Sequence, residues 1–171
     1  WIGSLLGRVE GGTNVENLVN LCMDSYSIEQ QKGRIYHLYS HAPVTFCSLP
    51  EAFKKMDTLY DYIDFPQAST RIRSFLVSGR KRTMNDIRHD REAEWMEDRK
   101  REVREVAALE KMLKHRGTEA TFIIRVKYRQ NSSWQGEITW VDGKKKEYFR
   151  SALELMKLLD SALESEKEDG E

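Results

Sequence analysis

The residue types best suited to molecular recognition are concentrated in one polar run in the last third of the chain. This run contains Arg129, Gln130, Asn131, Trp134 and Gln135. Guanidinium and amide groups make paired hydrogen bonds to planar ligands, and an indole ring offers a stacking surface. The set therefore suits a nucleotide, a nucleic-acid base or a hot spot for a protein partner. The alternative is a plain hairpin loop whose tryptophan packs on its own sheet.

Two groups of basic residues could contact phosphates. The denser group comprises Arg71, Arg73, Arg80, Lys81 and Arg82, and the second is a turn with Lys144 and Lys145. The 28 lysines and arginines are balanced by 28 aspartates and glutamates, so no net charge draws the chain to nucleic acid or to an anionic membrane. Nucleic-acid binding would depend on these local groups.

Residues that could bind a metal or act in catalysis are few. His37, His41 and Cys47 are near one another in sequence, but a structural zinc site needs four ligands at recognisable spacings. The sequence has no phosphate-binding glycine loop, nucleophile elbow or metalloprotease motif. We therefore expect no metal site, no cofactor and no enzymatic activity. Cys22 and Cys47 stand in apolar strand patterns, which predicts two buried free thiols.

The polar run follows a predicted strand. From residue 122 to residue 129, apolar side chains alternate with a mostly basic set that includes Arg125, Lys127 and Arg129. Alternation with a period of two indicates a half-buried strand, with the basic set facing outward. Residues 136–141 resume the alternation after the polar run, which predicts an antiparallel hairpin.

A turn, a third strand and a helix complete this unit. The pair Asp142-Gly143 predicts a tight turn, and residues 146–150 form the next short strand. Ser151 and Glu154 fit a capping box, in which each side chain satisfies a free backbone N–H group at the start of a helix. Apolar residues at helical spacing then continue to Leu163.

An earlier stretch follows the same plan at an offset of 103 residues. Gly33 and Phe46 are 13 positions apart, as are Gly136 and Phe149. Beyond each phenylalanine the offset of 103 residues continues without an insertion or deletion into a Ser-x-x-Glu sequence. This spacing predicts a duplicated βββα unit, with a first copy over about residues 18–63. The alternative is that two common arrangements, a hairpin and a capped helix, occur twice by chance.

The region between the two copies predicts one long helix. Residues 83–116 contain neither proline nor glycine and are rich in glutamate, arginine and alanine. The apolar residues form only a narrow stripe, so this helix would bridge two domains in solvent or pair with a partner helix. A homo-oligomer could form through it.

These observations predict an α+β fold with two related βββα units, each an antiparallel three-stranded sheet and one helix. The units would be packed as a pseudo-dimer or held apart, and joined by the long charged helix. The predicted boundaries are an N-terminal helical or irregular segment 1–17, a first unit 18–78, a linker helix 79–117, a second unit 118–163 and a disordered acidic tail 164–171.

One short motif resembles a known ligand-binding family. Asn131-x-Ser133-x-x-Gly136 is similar to the D/N-x-S-x-x-G element of PilZ domains, and Arg125-x-x-x-Arg129 is similar to their R-x-x-x-R element. The resemblance covers about a dozen residues and implies binding of cyclic di-GMP. In PilZ domains, however, the arginine motif lies well upstream on a flexible segment, whereas here it lies in the same strand.

The second unit with its preceding helix resembles the α-βββ-α topology of double-stranded-RNA-binding domains. That resemblance implies recognition of RNA shape and phosphates. Lys144, Lys145 and Lys146 stand in the turn and the third strand, rather than at the start of the last helix as in that family.

The function that these patterns favour is a non-enzymatic interaction or regulatory module that binds a protein partner. The alternative is nucleic-acid or nucleotide binding through the basic clusters and the loop of residues 129–135. No run of residues is apolar enough to cross a membrane, and no secretion signal is evident, so we expect no membrane association and a cytoplasmic location.

Overall fold

The computed structural model describes residues 15–68, 106–130 and 133–168. The first part contains strands β1 (Leu18–Tyr26), β2 (Gln31–His37) and β3 (Val44–Phe46), and helix α1 (Leu49–Tyr62). The second part contains helix α2 (Val106–Leu113), strands β4 (Ala120–Tyr128), β5 (Gln135–Trp140) and β6 (Lys145–Phe149), and helix α3 (Ala152–Glu168). The described chain is therefore an α+β structure with six strands and three helices.

All six strands form one antiparallel sheet in the order β3-β2-β1-β4-β5-β6. This corrects the prediction of two three-stranded sheets, because β1 and β4 join the halves into a single sheet. Each of these strands would otherwise leave a row of backbone N–H and C=O groups unpaired at a sheet edge. Their mutual pairing satisfies both rows.

The strand registers in the two halves correspond at a constant offset. The β1–β2 ladder pairs Met23 with Gly33, and the β4–β5 ladder pairs Val126 with Gly136, so each partner lies 103 positions later. Each ladder is interrupted by a register shift immediately after Met23 or Val126. In the central ladder, Asn20 lies directly opposite Ile123, which is also 103 positions later.

A continuous core includes side chains from all three layers of the fold. Helix α1 lies beside β2 and β3, and α3 lies beside β5 and β6. Their fully buried residues, such as Met56 and Leu159, belong to the same cluster as Leu21 and Phe122 of the two central strands. Helix α2 covers the sheet face to which Asn20 points, because the Asn20 amide donates hydrogen bonds to carbonyls at the end of α2.

Both predicted capping boxes are confirmed. The Ser48 hydroxyl accepts a hydrogen bond from the Glu51 N–H group at 3.3 Å, and the Ser151 hydroxyl accepts one from Glu154 at 3.0 Å. Each glutamate carboxylate in turn accepts from the backbone of the residue before the cap. Helices α1 and α3 therefore begin where the sequence predicts.

Two local predictions are wrong. Helix α3 continues to Glu168, five residues beyond Leu163 and into the segment that we expected to be a disordered tail. Glutamate and lysine propagate a helix well once a buried face anchors it, so polar composition alone did not mark its end. Cys22 is buried, but Cys47 is exposed, because β3 ends at Phe46 and the chain turns outward before the helix cap.

Several predictions lie outside the described residues. They are the N-terminal segment up to residue 14, the basic cluster at residues 71–82 and most of the predicted linker helix 79–117, within which the structure describes α2. None of the described helices is long and apolar enough to cross a membrane.

Candidate functional surfaces

Arg129 lies inside the protein, and its guanidinium is bound by α1 and by the chain that follows it. The Arg129 side chain lies 2.7 Å from the Asp57 carboxylate and 2.9 Å from that of Asp61. Its Nε donates to the Pro66 carbonyl at 2.8 Å, and its plane lies over the Tyr60 ring. This side chain connects the two halves of the molecule and is not presented to a ligand.

A bulge explains why Arg129 does not face outward with Arg125 and Lys127. The β4–β5 register shifts between Val126 and Tyr128, which inserts an extra residue into the strand. Such an insertion reverses the alternation of side chains beyond it. The basic set that the sequence placed on one face is therefore divided between the two faces.

The remaining residues of the predicted loop point in different directions. Trp134 is partly buried, with its ring 5.9 Å from Phe53 and 5.6 Å from Tyr60. It thus packs on helix α1 of the other half. Gln130 and Gln135 are exposed, and Asn131 lies outside the described residues.

The lysine turn is on the surface at one end of the β5–β6 hairpin. Lys144 and Lys145 are both exposed, and the Lys145 ammonium lies 5.8 Å from the centre of the Trp140 ring. Lys144 has a positive φ of 52°, as a tight turn requires. The turn and the loop of residues 129–135 lie at opposite ends of β5.

A charged surface with an exposed aromatic ring covers one face of β4, β5 and β6. We call it the Tyr148 face, and it consists of Arg125, Lys127, Glu137, Lys146 and Tyr148. Tyr148 is 65% exposed, and the ammonium groups of Lys127 and Lys146 each lie 5.6 Å from the centre of its ring. The alternating basic residues of β4 were the sequence signal for this face, but its partners on β5 and β6 depend on strand pairing.

Glu137 organises the cations of the Tyr148 face. Its carboxylate contacts Lys127 at 2.8 Å, Lys146 at 3.0 Å and Arg125 at 3.3 Å. Partial burial acts to raise the pKa of Glu137, but the hydrogen bonds from Lys127 and Lys146 outweigh it and lower the pKa below its ordinary value. One anion therefore holds three cations in place and leaves the face with a net positive charge.

A cleft of about 260 Å³ lies between helix α2 and the chain at the end of β2. We call it the α2 cleft. The Tyr36 and His115 rings are stacked with centres 3.8 Å apart and planes within 4°. The cleft is lined by Tyr36, His37, Leu38, Ser40, His41, Ala107, Ala108, Lys111, Met112 and His115.

Polar side chains of the sheet fix the end of α2 and so determine the shape of the cleft. The buried Asn20 amide donates to the Met112 carbonyl at 2.8 Å and to the His115 carbonyl at 3.1 Å. Arg34 is paired with Asp24 at 2.7 Å and also donates to the Arg116 carbonyl at 3.0 Å. Met112 belongs to the last turn, whose carbonyls a helix leaves free, and His115 and Arg116 belong to the chain just beyond it.

His37 is the buried titratable group of the cleft. It is 7% exposed, and its Nδ1 accepts a hydrogen bond from the Tyr39 N–H group at 3.2 Å. Burial lowers the pKa of His37 to about 4, so the ring is neutral near pH 7. Because Nδ1 is the acceptor, the single ring proton is assigned to Nε2.

His115 titrates below its ordinary range as well. Burial is the main cause of its lowered pKa, and the positive charges of Arg34 and Lys111 add to the effect. The cleft therefore contains neutral imidazoles beside the charged Lys111. His37, His41 and Cys47 do not form a metal site, and within the described ranges no group of three or more His, Cys, Asp or Glu side chains is placed to hold a metal ion.

Comparison with known proteins identifies no relatives for this chain. No family model matches the sequence, and neither the curated proteins nor the solved structures contain a match.

Proposed function

We propose that the chain is a non-enzymatic interaction module, built from two related βββα units packed as an intramolecular pseudo-dimer, that binds a protein partner. The duplicated unit is supported by the strand registers, which correspond at the offset of 103 residues in two pairs of ladders and within the central ladder. The matching bulges support it further. A protein of this kind would resemble a symmetric dimer whose subunits have been fused.

Contacts between the halves also support the pseudo-dimer. Tyr26 donates a hydrogen bond to Asp160 at 2.9 Å, and Arg129 donates to Asp57 at 2.7 Å. Arg129 stands 103 positions after Tyr26, and Asp160 stands 103 positions after Asp57. Each helix thus uses the same position to contact the equivalent strand end of the other half, as in an isologous interface.

The observation that carries the binding proposal is the exposure of Tyr148 between two lysines. Tyrosine and basic residues are typical of the few positions that supply most of the affinity at a protein interface. The net positive charge of the Tyr148 face favours an acidic surface on the partner, because complementary charges increase the association rate and the specificity. We therefore propose an acidic protein partner at this face.

Quantitative capture of partners from source cells tests this proposal. We expect the Tyr148→Ala variant to capture at least tenfold less of a specific partner than the unchanged chain does, because truncation of a hot spot weakens binding by this much. Ile28→Ala is the matched control, since Ile28 is fully exposed at the turn after β1. Retention of every partner by Tyr148→Ala, or an equal loss with Ile28→Ala, would refute the role of this face.

Nucleic-acid binding is the second candidate, because the same face combines an aromatic ring with flanking cations. Bases of a single strand stack on such rings while lysines contact phosphates. Labelled single-stranded RNA and DNA should then bind with a strong salt dependence, and Lys127→Gln should reduce the slope of log affinity against log salt by about 0.7. Absence of salt-dependent binding would remove this candidate.

Other parts of the prediction stay proposals. The loop of residues 129–135 could contribute through Gln130 and Gln135, and the cluster at residues 71–82 could add phosphate contacts. Oligomerisation through the long helix and a cytoplasmic location are likewise proposed from sequence.

A further inference from the structure

We propose that the α2 cleft is a binding site for a small organic carboxylate with a planar or apolar body. This inference does not depend on the proposed protein partner, because the cleft and the Tyr148 face are formed by different elements. Three features of the cleft carry it: a donor with no protein acceptor, a lysine without an ion pair and an apolar wall.

The first feature is the Nε2–H group of His37. Nδ1 is occupied by the Tyr39 backbone, so the ring presents its only proton at Nε2. No side chain or carbonyl in the described ranges accepts this proton, although His37 is 93% buried and lines the cleft. Nε2 is not one of the fully buried polar atoms without a partner, so what carries the inference is its place in the cleft lining, where a ligand oxygen can accept its hydrogen bond.

The second feature is the ammonium group of Lys111. This residue lines the cleft from α2, and none of the ion pairs within the described part of the chain involves it. The other nearby cation, Arg34, is occupied by Asp24. Among the described residues the cleft therefore presents one cation outside an ion pair, which suits a carboxylate better than a doubly charged phosphate.

The third feature is the apolar lining. The flat surface of the stacked Tyr36 and His115 rings, together with Met112, can contact an aromatic or aliphatic body. Mostly apolar walls with a few fixed polar groups are typical of small-molecule sites. Asn20 and Arg34 hold α2 in position, so the site is formed before a ligand arrives.

The experiment compares an acid with its neutral amide. The full chain, labelled with ¹⁵N, is titrated with indole-3-acetate and, separately, with indole-3-acetamide, and amide shifts are followed at Tyr36, Lys111 and His115. We expect both probes to shift these signals and the acid to bind about tenfold more tightly, as a charged hydrogen bond adds that much affinity.

Two variants distinguish the contributions of the donors. Lys111→Gln should weaken the binding of indole-3-acetate about tenfold and leave the binding of indole-3-acetamide unchanged. Lys114→Gln, at an exposed lysine just beyond the same helix, should change neither affinity. His37→Phe should weaken both probes, since it removes the Nε2–H donor but keeps a ring. If His37→Phe does not fold, the result for the exposed Lys111 decides the question.

Three outcomes would overturn the proposal. They are absence of shifts in the cleft at millimolar probe concentration, equal binding of acid and amide, and an acid affinity that Lys111→Gln does not change.

Discussion

At the residue scale, the partners of a side chain decide its role more than its chemical type does. Arg129 and Trp134 have the side chains expected of a binding site, yet Arg129 is 3% exposed and Trp134 packs against Phe53 and Tyr60. No sequence motif includes Tyr148, but its side chain is 65% exposed. A one-residue bulge in β4 is enough to turn Arg129 away from the face that carries Arg125 and Lys127.

Replacement of Arg129 by glutamine should destabilise the protein strongly. The variant loses both ion pairs and leaves the Pro66 carbonyl without its donor, so we expect a loss of about 3 kcal/mol in the free energy of unfolding. Urea denaturation measures this. Arg150→Gln is the control, because its side chain is 87% exposed and its pair with Glu154 is 3.7 Å long, so the expected change is below about 0.5 kcal/mol. Equal effects of the two variants would contradict a structural role for Arg129.

His37 should make the protein less stable in mild acid. Its pKa is about 4 in the folded chain and 6.5 in the unfolded one, so only the unfolded chain gains a proton as the pH falls through this window. The stabilising contribution is thus complete above pH 6.5 and is lost towards pH 4, by up to about 3 kcal/mol.

Urea denaturation across this pH range tests the prediction by comparison with His37→Gln. The stability difference between the unchanged chain and this variant should shrink as the pH falls, since glutamine does not titrate. Ile28→Ala, at a fully exposed residue that does not titrate, should show a constant difference. A constant difference for His37→Gln would mean that His37 is not held neutral by burial.

At the element scale, helix α2 depends on the sheet for its termination. Asn20 donates to the Met112 carbonyl of the last turn and to the His115 carbonyl just beyond it, and Arg34 donates to the carbonyl of Arg116. The close approach of neighbouring strands requires glycine at two positions. A Cβ atom added at Gly33 or Gly136 would lie within 2.2 Å of a carbonyl oxygen of the adjacent strand. Such positions accept no side chain without a shift of the backbone.

Replacement of Asn20 by alanine should loosen α2 selectively. The Met112 carbonyl of the last helical turn and the His115 carbonyl just beyond it each lose a hydrogen bond, which should cost about 1–3 kcal/mol. Hydrogen exchange should therefore accelerate at residues 109–115 more than in α3. Ser161→Ala, at an exposed position in α3, should leave exchange in α2 unchanged. A uniform acceleration over all helices would show that Asn20 acts on global stability alone.

At the scale of the whole molecule, the β1–β4 ladder joins the two halves in one sheet, and we expect them to unfold cooperatively. Six residue pairs connect these central strands, and the core is continuous across them. The free edges of the halves are thereby paired, and the remaining edge strands are the short β3 and the lysine-bearing β6. Short and charged edges oppose uncontrolled association with other sheets.

Destabilising mutations in either half should consequently lower the midpoint of one and the same unfolding transition. Ile35→Val and Ile138→Val remove a buried methylene group at positions 103 residues apart, and each should cost about 1 kcal/mol. Tryptophan fluorescence and far-ultraviolet circular dichroism should report one common midpoint for each variant. Separate midpoints for the two signals, with each variant shifting only one of them, would show that the halves unfold independently.

The sequence was sufficient for features that depend on near neighbours. Alternation with a period of two located the strands, the Ser-x-x-Glu motifs located the starts of α1 and α3, and regular spacing revealed the offset of 103 residues. It could not indicate the bulge after Val126, the exposure of Cys47 or the length of α3. These features depend on the partner strand and on how far the core anchors a helix.

The tertiary structure alone decided which surfaces are open. Backbone propensities act over a few residues, so the amino-acid sequence by itself determined the type and approximate limits of the elements. The pairing of β1 with β4, the burial of Arg129 against Asp57 and the meeting of His37 with Lys111 join residues far apart in the chain. Such contacts form because they bury apolar area and satisfy hydrogen bonds jointly, and no local pattern encodes that joint condition.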